Sequence, residues 1–122
     1  MQSLALVGER VGDPLHLIYD ALFKAHPDLE PLFAIDPDYA VRGSMLFHAF
    51  DCINDYFGAR RIAFSFISSS RIVHRDYGVP EAQFDIFFTV MRDVFRDVLG
   101  ADWTDAMTDE WDKMLADFAA AR

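Results

Sequence analysis

The feature that most constrains this chain is a long apolar stripe with helical spacing between Pro80 and Gly100. Apolar side chains recur there every three or four positions, at Phe84, Phe87, Phe88, Met91, Val94, Phe95 and Val98. That spacing is typical of one buried face of an α-helix. Proline favours the first turn of a helix and glycine its end, so both boundaries agree with the pattern. The segment therefore predicts a long amphipathic helix.

Weaker repeats with the same period predict helices along the rest of the chain. We expect a short first helix over 2–10, a second from Asp13-Pro14 to about His26, a helical turn over 28–33, a helix over 39–57 and a last helix from about Thr104. Residues 60–76 are ambiguous, because Ile62, Phe64 and Phe66 alternate as in a strand. We assign a helix there, since an isolated strand would have no partner. The prediction is an all-α protein of six or seven helices in one domain, 1–122.

Composition excludes several classes of function. The 122 residues carry 20 acidic and 11 basic side chains, a formal net charge of −9. Nucleic acids and anionic membrane surfaces attract clustered lysine and arginine, so we expect neither as a partner. No apolar run approaches the roughly 20 residues that a membrane span needs. The one cysteine, Cys52, lies in an apolar helical register, which indicates a buried small side chain more than a reactive thiol. The expected location is the cytoplasm.

Candidate chemistry concentrates at His74. The sequence has no glycine-rich phosphate loop, cysteine pair or i, i+4 histidine pair for zinc. His74 falls near the end of a predicted helix, just before the Gly78-Val79 corner, where a neutral imidazole can offer a nitrogen to a metal. If this segment is helical, the backbone carbonyl or the hydroxyl of Ser70 lies one turn back and can orient the ring. A capping or core histidine is the alternative interpretation.

Two runs of residues carry a family resemblance. One extends from His74 through the Gly78-Val79 corner and Pro80-Glu81 to Phe84, and the other from Tyr19 through His26-Pro27 to Phe33. The first is similar to the proximal-histidine segment of bacterial single-domain haemoglobins and flavohaemoglobins, and the second to their second helix and the corner after it. The resemblance covers nearly the whole chain. It implies a globin-like fold whose helices surround a haem pocket.

The resemblance implies roles for individual residues around a haem b. His74 would be the proximal ligand of the iron. Phe33 would wedge against the haem face, and Tyr19 would donate a hydrogen bond to dioxygen. Plain core packing is the alternative for Phe33, and a core tyrosine bonded to the backbone is the alternative for Tyr19.

The resemblance also implies residues that contact the haem propionates or line the walls of the pocket. Arg42 falls near the distal position that usually holds glutamine or histidine, and it either reaches a haem propionate or water at the pocket mouth or is solvated. Arg71 and Arg75 flank His74 and are candidates for propionate pairing, with surface exposure expected for at least one. The remaining candidates would line the pocket walls: Leu46, Val79, Phe84 and Phe87.

Two departures from the family pattern bear on the chemistry. Phe84 stands where the related proteins often have a tyrosine, and the glutamate late in their final helix has no counterpart. In the family both side chains hydrogen-bond the proximal histidine, so His74 is expected to donate less electron density to iron. Peroxidase-like or efficient nitric-oxide dioxygenase activity is therefore not expected. Any turnover would need an external reductase, since no flavin or nicotinamide domain is fused to the chain.

The predicted function is reversible binding of dioxygen or another diatomic gas at a histidine-ligated haem, by a monomer or a homodimer. The alternative is a haem-free globin-fold module for signalling or interaction. The joint presence of His74, Tyr19 and Phe33 argues against that alternative, because a haem-free protein does not need the three together.

Overall fold

Helices account for most of the computed structural model, which describes residues 2–121. Six α-helices run in the order α1 Gln2–Val11, α2 Leu15–Ala25, α3 Ala40–Phe57, α4 Ala63–Asp76, α5 Glu81–Leu99 and α6 Asp105–Ala120. A seven-residue 3-10 helix, Pro27–Phe33, follows α2, and a short one, Gly100–Asp102, follows α5. Within these described residues there are no strands. The all-α prediction is confirmed, including the helix assigned to the ambiguous segment after residue 60.

Helix α5 is the centre of the packing. It lies against α1, α2, α4 and α6. Its apolar stripe supplies seven buried side chains, at Phe84, Phe88, Val90, Met91, Val94, Phe95 and Leu99. Removal of this apolar surface from water is the main driving force that holds the other helices around it.

The start of helix α4 is fixed by a side-chain cap that the alternating apolar pattern of residues 62–66 did not predict. Its buried residues are Ala63, Ile67 and Arg71, each four positions after the last, so the alternating aromatic positions are not the buried set. The Asp55 carboxylate accepts hydrogen bonds from the backbone amides of residues 61, 62 and 63 at 2.7–3.1 Å. Burial alone would raise the pKa of Asp55, but these amides outweigh it and lower the pKa below its usual value. A capped helical start therefore prevails over the local strand preference.

The first and last helices are joined through a buried hydrogen bond. Trp111 is fully buried, and its Nε1 donates to Ser3 Oγ at 2.9 Å. Helix α6 begins where predicted, because the Thr104 hydroxyl accepts from the Met107 amide at 3.1 Å and caps the first turn. Cys52 is 1% exposed, and burial raises the pKa of its thiol to about 12. The interpretation of Cys52 as a small buried side chain is thus confirmed.

None of the helices described over residues 2–121 combines the length and the apolar character that crossing a bilayer requires.

Candidate functional site

His74 lies in the last turn of α4 with a defined ring orientation. Its Nδ1 is 2.7 Å from the Ser70 backbone oxygen, one turn earlier in the helix. A carbonyl only accepts hydrogen bonds, so Nδ1 carries the hydrogen and the lone pair of the neutral ring lies on Nε2. The backbone oxygen of His74 accepts from the amides of Tyr77 and Val79, which fixes the corner that follows. The half-buried imidazole is therefore held as an Nε2 donor.

The His74 ring packs against Phe84, whose ring centroid also lies 4.9 Å from the guanidinium carbon of Arg71. The Phe84 ring meets the imidazole edge to face, with 5.2 Å between the ring centroids. Phe84 is buried, and Val79 is partly buried at the corner between α4 and α5. No hydroxyl stands at this position of α5, so the Ser70 carbonyl is the hydrogen-bond partner that the structure gives to His74. Within residues 2–121, no three histidine, cysteine, aspartate or glutamate side chains come together as a metal site.

A continuous series of aromatic contacts connects His74 with the predicted site residues Tyr19 and Phe33. From Phe84 it passes to Phe88 at 6.4 Å, to Phe87 at 5.7 Å, to Tyr19 at 5.6 Å and to Phe33 at 5.7 Å between centroids. Helix α5 thus brings the N-terminal segment and the His74 segment onto one aromatic wall. Residues more than 50 positions apart in sequence meet there only because both segments pack on the same helix.

Tyr19 is almost fully buried, with 1% exposure, in α2. Its hydroxyl donates to the backbone oxygen of Arg42 in α3 at 3.2 Å. Burial raises the pKa of the phenol far above its usual value, so Tyr19 is a neutral hydrogen-bond donor at any physiological pH. The observed bond is the backbone-bonded arrangement that the sequence left open as an alternative.

Arg42 is buried, and so differs from the solvated arginine that was one of the two expectations. It is 8% exposed, and its Nε lies 3.1 Å from Oδ2 of Asp36, while Nη2 donates to the Asp36 backbone oxygen. Its guanidinium stacks 3.7 Å from the Tyr39 ring centroid. The expectation of a solvated arginine is corrected, because Asp36 binds these donors and the stacking fixes the group. The pairing of Arg42 with a haem propionate stays a prediction.

Asp36 is the site residue that sequence reasoning missed. It is 3% exposed, and its carboxylate accepts from the amides of Val41 at 2.9 Å and Arg42 at 3.0 Å. Burial would raise the pKa of Asp36, but these amides and the Arg42 side chain lower it below its usual value. The available signal was an aspartate shortly before a helix start, a common capping pattern. The role of Asp36 was not predicted because the amides that it caps lie five and six positions later in the sequence, farther than in an ordinary N-cap.

Two open clefts meet at Arg42 on the surface between α2, the 3-10 helix and α3. One has a volume of about 320 Å³ and reaches Tyr19 and Phe23. The other, about 460 Å³, borders Phe33 and Pro31. Leu46, one turn after Arg42 in α3, is buried in the adjoining core. The candidates Tyr19, Phe33 and Arg42 therefore occupy one region, with Leu46 beside it.

The two arginines that flank His74 have different surroundings. Arg71 is 2% exposed, and its donors bind the backbone oxygens of Phe118 at 2.7 Å and Ala121 at 3.1 Å. It also pairs with Asp85 at 2.8 Å. These contacts direct the Arg71 guanidinium into the C-terminal end of α6, and its pairing with a haem propionate stays a prediction. Arg75 is exposed, as expected for at least one of the pair.

The described chain is thus an all-helical bundle in which α5 carries an aromatic wall and the oriented ring of His74 lies beside it. The family model for globins, described as Globin, matches residues 16–121, which is most of the chain. The chain belongs to the globin family. Comparison with curated proteins gave no match, and comparison with solved structures gave none either. Globins typically bind haem and bind diatomic gases.

Proposed function

We propose that this protein is a haem-binding globin that reversibly binds dioxygen or another diatomic gas, with His74 as the protein ligand of the iron. The observation that carries the proposal is the His74 ring, whose Nδ1 is engaged by the Ser70 carbonyl and whose Nε2 is left as the donor atom. Neutral imidazole with a backbone acceptor on its second nitrogen is a well-suited metal ligand. The chain is a member of the globin family, and a single neutral imidazole nitrogen such as Nε2 of His74 is a suitable protein ligand for haem iron.

The apolar residues around His74 would hold the macrocycle. A haem, when bound, supplies an iron with four macrocycle nitrogens and a coordination position at which a diatomic gas can bind. Phe84 and Val79 would support the His74 side, while Phe33 and Leu46 would cover the opposite face. Phe87 would form the rear wall between them, since its ring already contacts Tyr19. Arg75, being exposed, remains a proposed partner for a propionate.

The bonding of His74 favours reversible gas binding over redox turnover. A carboxylate acceptor would pull the Nδ1 hydrogen strongly and make the imidazole more basic, whereas the Ser70 carbonyl is a neutral acceptor. Phe84 adds an apolar contact and no hydrogen bond. We infer that His74 donates modest electron density to iron, and that any catalytic turnover relies on an external reductase.

Replacing Tyr19 with phenylalanine is expected to speed dioxygen dissociation about tenfold. The Tyr19 hydroxyl would donate a hydrogen bond to a gas ligand that carries partial negative charge, which would contribute about 1.5 kcal/mol or more. Part of this gain is offset, since the hydroxyl must first leave the Arg42 carbonyl. Stopped-flow displacement of dioxygen by carbon monoxide measures the rate. Tyr39→Phe is the matched control, and an equal rate in wild type and Tyr19→Phe would remove Tyr19 from the gas site.

The experiment that tests the proposal is a visible absorption titration of the purified protein with hemin. We expect saturation at one haem per chain, and a sharp Soret shift when the reduced complex is exposed to carbon monoxide. Heat-unfolded protein serves as the control for non-specific hemin association. Absence of saturable binding would overturn the proposal and leave a globin-fold protein without haem.

A further inference from the structure

We propose that Asp36 is a positioning residue that sets gas affinity by anchoring the Tyr19 hydroxyl to the backbone of α3. The inference rests on the proposed function and concerns a contact that lies within the protein itself. It links three groups: the Asp36 carboxylate, the first turn of α3 at Arg42, and the phenol of Tyr19. We refer to these three as the distal latch.

The first contact of the latch fixes the start of α3. Each carboxylate oxygen of Asp36 accepts from a different backbone amide: Oδ1 from Val41 at 2.9 Å and Oδ2 from Arg42 at 3.0 Å. Oδ2 also accepts from Arg42 Nε at 3.1 Å. A buried carboxylate at the positive end of a helix is held strongly, because amide donors, guanidinium and helix dipole all favour its charge. Asp36 therefore immobilises both the backbone and the side chain of Arg42.

The second contact joins this fixed turn to Tyr19. The Arg42 backbone oxygen accepts the phenol hydrogen at 3.2 Å. The rings of Phe23, Phe33 and Phe87 also contact the Tyr19 ring, at 5.6–6.0 Å between centroids. The open cleft beside Tyr19 is lined in addition by polar side chains, among them Asp20 and Glu30. Because Tyr19 is only 1% exposed, an unpartnered hydroxyl would be costly, so the phenol keeps its hydrogen bond to the Arg42 carbonyl unless a stronger acceptor is present.

Competition for one hydrogen atom follows from this geometry. A phenol has a single hydrogen to donate, and Tyr19 can give it to the Arg42 carbonyl or to a gas ligand but not to both. A carbonyl that is held firmly makes a stronger hydrogen bond to the phenol. Breaking that bond then offsets a larger part of the free energy that the phenol gains by donating to the gas ligand. Dioxygen, which accepts strongly, would be affected far more than carbon monoxide. Asp36 would thus lower dioxygen affinity selectively by holding the competing acceptor in place.

The test is Asp36→Asn, because an amide of the same shape cannot accept with both of its polar atoms. In the haem-free protein, we expect the ¹³Cζ NMR signal of Tyr19, assigned by its loss in Tyr19→Phe, to shift or broaden. In the reduced hemin complex, dioxygen dissociation should slow by about 3- to 10-fold. Carbon monoxide dissociation should change by less than about twofold. Asp38→Asn is the matched control, since Asp38 is exposed and accepts from the Ala40 amide at the same helix start, away from Arg42 and Tyr19.

A double-mutant comparison decides whether Asp36 acts through Tyr19. In the Tyr19→Phe background, Asp36→Asn should leave dioxygen dissociation unchanged. An equal effect in both backgrounds, or an unmoved Tyr19 signal in the haem-free protein, would overturn the proposal. If Asp36→Asn does not fold, Arg42→Lys keeps the carbonyl and the Asp36 caps while losing the Nε contact, and should shift both readouts in the same direction. Failure of wild type to bind hemin would refute the proposed function, whereas the NMR readout would still test the latch.

Discussion

Replacing His74 with alanine is expected to eliminate histidine-ligated haem binding. The imidazole is oriented by the Ser70 carbonyl and supported by Phe84, and no other histidine has this pairing in the described chain. Changes in groups that only support a metal ligand cost about 10- to 100-fold in affinity, so loss of the ligand itself should cost at least about 100-fold. A hemin titration followed at the Soret band, with and without carbon monoxide, measures this loss.

A matched histidine variant separates ligation from general damage. His48 is exposed on α3, where its ring contacts Phe47 and Phe66. His48→Ala should keep the wild-type spectrum and affinity. Added imidazole should restore a six- or five-coordinate spectrum to His74→Ala, because a small ligand can fill the space that the side chain leaves. An unchanged spectrum in His74→Ala without imidazole would show that another group holds the iron.

Replacing Arg71 with methionine is expected to lower the free energy of unfolding by about 3 kcal/mol. The buried guanidinium binds the carbonyls of Phe118 and Ala121 at the C-terminal end of α6 and pairs with Asp85 of α5. Methionine fills similar space but removes a donor from each acceptor, at about 1–3 kcal/mol for one that stays buried without a partner. The Phe118 oxygen keeps the Ala121 amide as a donor at 3.2 Å. Two features limit the loss in the free energy of unfolding to about 3 kcal/mol. Asp85 is partly exposed, so water can replace the ion pair, and Arg71 Nη1 has no partner to lose among the described residues.

Urea unfolding of the haem-free protein measures this effect without a contribution from haem affinity. Arg75→Met is the matched control: the residue is exposed, four positions further along the same helix, and its replacement should change stability by less than about 0.5 kcal/mol. Equal stability of the two variants would mean that Arg71 does not hold α6 against α4. A loss of cooperativity confined to Arg71→Met would indicate that α6 detaches from the remaining helices.

Features that depend on neighbouring residues could be predicted from the sequence. The apolar stripe of α5 and the Thr104 start of α6 follow from periodicity and capping, which act within a few residues. The same holds for the Ser70–His74 pairing, since a helix brings residues four apart onto one face. The burial of Cys52 also followed from helical register. For each of these, the helix alone sets the relevant distance.

Features that depend on which helices meet could not be predicted in this way. Residues 62–66 alternate like a strand, and the Asp55 cap in the preceding helix decides the outcome. Arg71 and Arg75 both lie close to His74 in the sequence and could not be distinguished there. In the structure Arg71 is buried against the end of α6 and Arg75 is exposed. The sequence by itself determined the helices and the orientation of His74, because hydrogen bonds and periodicity within one helix are local. Only the tertiary structure decided the partners of Arg42, Arg71 and Tyr19, because a buried polar group bonds to whichever acceptor the packing brings within reach.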